Sequence, residues 1–67
     1  MTNFSTRLKD LRTARDLKQA ELAEHLSVDQ RTISNWECGM NEPNFEMLKK
    51  IARFFDVSTD FLLGIVD

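Results

Sequence analysis

Glycine and proline are nearly missing: Gly39, Gly64 and Pro43 are the only residues of either kind in a chain of 67. Most of the usual turn and breaker signals are therefore absent, and no apolar-polar alternation lasts more than about four positions. A strand-built fold is excluded and an all-α one is expected. Cysteine is scarce too. Cys38 is alone and closes no disulfide within the chain, which fits a reducing compartment. No apolar run approaches the roughly 20 residues of a membrane span, and no charged-then-apolar signal segment opens the chain. A cytoplasmic protein without a membrane partner is expected. There is no glycine-rich phosphate loop, no nucleophile beside a base and no cluster of metal ligands. This reads as a chain that is not an enzyme, with no cofactor, no metal and no small-molecule ligand. Positive charge is not in excess either: nine basic side chains face eleven acidic ones, a net charge of −2. That sign is the opposite of the usual footprint of a phosphate binder.

What is present is helical periodicity. Residues 1–67 read as a single domain, and one this small buries only about 60% of the surface its unfolded chain exposes, so a compact core is required. Phe4, Leu8, Leu11 and Ala14 step by threes and fours along one face, with Asn3 or Thr2 as N-cap and Asp16 at the stop. A second helix spans about Gln19–Leu26, with Leu22, Ala23 and Leu26 inward. Lys18 stands at its N-cap position but has no side-chain acceptor. After the short turn Ser27-Val28, Asp29 caps a third helix from Gln30 to about Cys38, and Gly39 is a left-handed stop. A loop around Pro43 leads to Asn44, the cap of a fourth helix with Phe45, Leu48, Ile51, Ala52 and Phe55 inward. Ser58 caps a fifth, Thr59 to about Leu63, with Val57, Phe61 and Leu62 inward. The expectation is a compact five-helix bundle.

The third helix carries the chemistry. At about 100° per residue, Gln30, Arg31, Ser34 and Asn35 share one arc, while Ile33 and Trp36 face the other way. Gln and Asn give bidentate contacts to adenine, Arg to guanine, and Ser to either, all in the major groove. None of the four is a carboxylate, the group that phosphate repels. The preceding helix joins across so short a turn that the two must cross steeply, with the small Ala23 at the contact. Such a crossing pushes the polar arc outward, as a recognition helix requires to enter a groove about 12 Å wide.

The stretch LKQAELAEHLSVDQRTISNWECG resembles the phage-repressor family of helix-turn-helix proteins, which includes lambda repressor and Cro and is also called the xenobiotic-response-element family. The resemblance runs from about Leu8 to Leu63. It rests on Gln19, Leu22-Ala23, Ile33, Trp36-Glu37, Gly39, Pro43, Val57-Ser58 and Phe61-Leu62 together. It implies a lambda-repressor-like bundle, with the helix-turn-helix at about 19–38, that binds double-stranded operator DNA and regulates transcription, as a repressor, in a phage or bacterium. Gln30, Arg31, Ser34 and Asn35 would face bases. Gln19 and Lys18 would hold a phosphate at a helix N-terminus, and Asn44 would mark a second phosphate clamp. Arg12 and Glu37 match positions that form an ion pair in relatives.

Some positions depart from that pattern. Ser27 stands where glycine is common. Asp29 puts a negative charge at the front of the reading helix, either reading cytosine N4 or weakening binding. The loop MNEPN lacks Lys and Arg, and its Glu42 would oppose a phosphate, so a shallow salt dependence is expected. Trp36 reads as core, His25, Glu21 and Glu24 as exposed helix residues, and Cys38 as an incidental thiol. Leu63, Ile65 and Val66 are surplus to one small core and suggest either a homodimer on a two-fold-related operator, its reading helices about 34 Å apart, or a tail that leads into a further domain. The competing reading is a protein-interaction module, antitoxin-like or a scaffold, which the acidic loop favours.

Overall fold

The computed structural model describes residues 3–67. Five helices follow one another: α1 (Phe4–Ala14), α2 (Gln19–Leu26), α3 (Gln30–Glu37), α4 (Phe45–Phe55) and α5 (Thr59–Leu63). Among the described residues there is no strand, and no helix is long and apolar enough to cross a membrane. The starts follow local chemistry. Oδ1 of Asn3 accepts from the Thr6 N–H at 3.1 Å, Oδ1 of Asp29 from Arg31 at 2.8 Å, Oδ1 of Asn44 from Met47 at 2.8 Å, and Oγ of Ser58 from Phe61 at 3.0 Å. Each satisfies an N–H that the helix itself leaves without a partner. Thr2, the alternative first cap, lies outside the described residues. Lys18 makes no side-chain cap; instead the carboxylate of Glu21 reaches back to accept from the Lys18 N–H at 2.8 Å, half of a capping box.

The stops share one geometry. Asp16, Ser27, Gly39, Asp56 and Gly64 all have positive φ, between 56° and 82°. At each, the following residue donates to a carbonyl five positions back: Leu17 to Arg12, Val28 to Ala23, Met40 to Asn35, Val57 to Ala52 and Ile65 to Asp60, at 2.9–3.1 Å. This is the Schellman closure, and it places an apolar residue just past each helix. Leu17, Val28 and Val57 fold back onto the core, whereas Met40 and Ile65 stay outside. Two stops also receive distant caps. Nζ of Lys50 donates to the Leu26 carbonyl at 2.9 Å, and Arg15 donates to the carbonyls of Phe54 and Phe55.

The core is Phe4, Leu8, Leu22, Ala23, Leu26, Ile33, Trp36, Ile51, Ala52, Phe55 and Leu62. α3 packs on α1 and α2, and α5 on α1 and α4. Trp36 meets Phe4 edge to face, centroids 6.4 Å apart. Three inward assignments need correction. Phe45 is 83% exposed. It shares the helical arc of Leu48 and Phe55 but opens α4, where no neighbouring element reaches over it. Ala14 is exposed at the last turn of α1, beyond the packed part of that face. Phe61 is only half-buried, and the buried Arg7 guanidinium stacks on its ring, 4.1 Å from the centroid.

Candidate nucleic-acid interface

Ile33 is wholly buried and Trp36 is 4% exposed, so the back of α3 is fixed in the core. Its turn of entry is tight: Ser27 is left-handed with φ 59° and ψ 42°, and Ala23, buried beneath it, lets the two helices approach closely. Gln30, Arg31 and Ser34 are consequently exposed along the outer edge, and Asn35 is half-buried at its end. No carboxylate pairs with Arg31 among the described residues. The edge thus offers amide, guanidinium and hydroxyl groups that the protein itself does not use.

The other end of α3 is tied down by charge. Arg12 grips Glu37 with two nitrogens, Nε to Oε2 at 2.6 Å and Nη2 to Oε1 at 2.9 Å, while Nη1 donates to the Leu17 carbonyl at 2.7 Å. The side chains are 11% and 4% exposed, and the paired fork geometry suits burial. The hydrogen bonds from Arg12 to Glu37 raise the guanidinium's pKa above its ordinary value; burial opposes this and the charge of Glu37 adds to it. Arg12 therefore stays charged across any ordinary pH. Nε2 of Gln19 donates to the same Glu37 oxygen at 3.1 Å. One carboxylate thereby links α1, the start of α2 and the end of α3.

The remaining sequence-selected residues fall in two further places. Lys18 is exposed beside Gln19, and Asn44 is exposed at the start of α4 with its Oδ1 already engaged as a cap. Leu63, Ile65 and Val66 are exposed at the end of the chain. Leu63 joins Phe4, Pro43, Phe45, Leu48 and Glu42 around an apolar groove of about 130 Å³. Sequence reasoning missed the engagement of Gln19, the caps from Arg15 and Lys50, and the exposure of Phe45. The first two sets join residues 18 to 40 positions apart, a separation no local pattern encodes.

Comparison with known proteins agrees with this architecture. The helix-turn-helix family description matches residues 8–62. The chain belongs to the helix-turn-helix family. The transcriptional activator BcrR of Enterococcus faecalis is 48% identical over 61 residues, 91% of this chain and 30% of BcrR. A transcriptional regulator from Listeria innocua superposes with a TM-score of 0.90 at 34% identity, over 97% of this chain and 61% of that one. The P22 c2 repressor in complex with a synthetic operator superposes with a TM-score of 0.88 at 30% identity, over 94% of this chain and 96% of the repressor. This chain spans 30% of the length of BcrR and about half that of further regulators it matches.

Proposed function

We propose that this chain is a cytoplasmic transcriptional regulator, a repressor, that binds double-stranded operator DNA through the major groove. It acts as a homodimer on a two-fold-related site and has no catalytic role. The exposed edge of Gln30, Arg31 and Ser34 on a helix whose back is locked by Ile33 and Trp36 carries this reading. Such an edge presents to bases the donors and acceptors they are read by, at a fixed angle. In this reading Asn35 extends the edge. Lys18 and Gln19 meet one phosphate at the N-terminus of α2, and Asn44 marks another at α4. Leu63, Ile65 and Val66 meet their counterparts in a second copy. The likeness to the P22 c2 repressor, solved on an operator, supports the same reading.

Selection from random duplexes tests it. One motif of two inverted halves is expected, and Arg31→Ala is expected to weaken that motif by about 1–3 kcal/mol while relaxing one base position. Gln19→Ala is expected to weaken every sequence to a similar degree. Equal loss on all sequences from Arg31→Ala would move that side chain from base to phosphate. Enrichment of nothing would end the DNA reading and leave the interaction module. For the dimer, mass measurement at micromolar concentration decides: a strict monomer both free and on DNA discards it.

A further inference from the structure

Asp29 is the one charged group at the entry to α3 whose sign opposes DNA, yet it is held in place. Its Oδ1 is fixed by the Arg31 N–H at 2.8 Å, and its own carbonyl accepts from the Thr32 N–H at 2.9 Å. Oδ2 takes no hydrogen bond from any described residue, and Asp29 is exposed. Arg31, two positions on, is exposed as well, and no ion pair joins the two side chains. An acceptor-only group and a donor-only group are thus both exposed on the leading turn, each with capacity to spare. The first residues of a recognition helix are those that reach base edges.

In the major groove cytosine shows only the N4 amino donor, whereas adenine flanks its N6 donor with the N7 acceptor, and guanine shows only acceptors. A carboxylate is therefore repelled by the guanine edge and by adenine N7, and accepts cleanly only from cytosine. Phosphate repels it everywhere. We propose that Asp29 is a specificity residue that selects cytosine through Oδ2, so that each half-site carries a cytosine at one position that the front of α3 reads. This rests on the DNA-binding reading above. It also gives the negative charge a use: Asp29 lowers affinity for every other sequence while matching one base.

Random-duplex selection with the wild-type chain and with Asp29→Asn and Asp29→Ser tests it. Both replacements keep an N-cap acceptor, and thermal melting checks that each still folds. The wild type is expected to prefer cytosine at one half-site position on the order of tenfold. Asp29→Asn is expected to move that position to adenine, and Asp29→Ser to level it, with the remaining positions unchanged. A cytosine that survives both replacements overturns the proposal. So does a gain in affinity shared by all sequences with an unchanged motif, because the carboxylate would then only repel. If no protein enriches any motif, the DNA reading itself falls and this proposal with it.

Discussion

The two ends of the bundle finish their helices in different ways. At the α2–α3 end, Ser27 takes the left-handed stop, Val28 folds back onto the core, and Lys50 adds a cap from α4. At the α5 end, Gly64 takes the same stop, but Ile65 behind it is 68% exposed, with Leu63, Val66 and Phe45 also open to solvent. Gly39, the other glycine stop, likewise leaves Met40 exposed. Where the residue after the stop is gripped by the core, packing holds a non-glycine in the left-handed region. Where it is not gripped, glycine stands there. An ordinary side chain costs roughly 1–2 kcal/mol in that conformation, and Asp less; the core contacts behind Asp16, Ser27 and Asp56 offset that cost. At the closed end, the α2–α3 turn seats its own apolar residue, Val28, against the core. The open end leaves its apolar residues outward.

Several changes would break or sharpen the contrast. The most disruptive is Glu37→Ala at the closed end. It strands the buried Arg12 and frees Gln19, and about 3–5 kcal/mol of folding stability is expected to vanish in denaturant titration. Arg31→Ala, on the outer edge of that same end, should leave the denaturation midpoint nearly unmoved, within about 0.5 kcal/mol, while DNA affinity falls as stated above. Next come the stops themselves. Gly39→Ala is expected to cost about 1–2 kcal/mol from conformation alone, since an added Cβ meets nothing nearer than Ser5 Oγ at 3.6 Å. Ser27→Gly should shift stability the opposite way, by about 1 kcal/mol or less. A matched pair of thermal melts reads both signs. Smallest on folding is Leu63→Ser with Ile65→Ser, expected within roughly 0.5 kcal/mol per site. If the open end joins two copies, that variant should sediment as a monomer where the parent chain does not.

Much of this was legible in the sequence, and the reasons differ by feature. Helix starts were legible because Asn3, Asp29, Asn44 and Ser58 each carry an acceptor beside an apolar period, and all four caps form. The left-handed stop at Gly39 was legible from glycine itself. Asp56, which closes α4 in the same way, carries no such mark: its conformation depends on Val57 seating in the core. Phe45 was misplaced because periodicity reports an arc and not what lies over it. The outer edge of α3 was legible from side-chain type at helical spacing. The Glu37 network was only partly so: the Arg12 pair came from family resemblance, and the Gln19 bond emerges only when the start of α2 meets the end of α3.

The separation of duties within α3 has a consequence for descendants of this chain. Ile33, Trp36 and Glu37 hold the rod, and the side chains of Gln30, Arg31 and Ser34 stand exposed and make no hydrogen bond among the described residues. The outer row is an interchangeable cassette. On the proposed DNA-binding reading, new letters can be set there without recasting the type block beneath, which would leave lineages sharing this scaffold free to diverge in the messages they read.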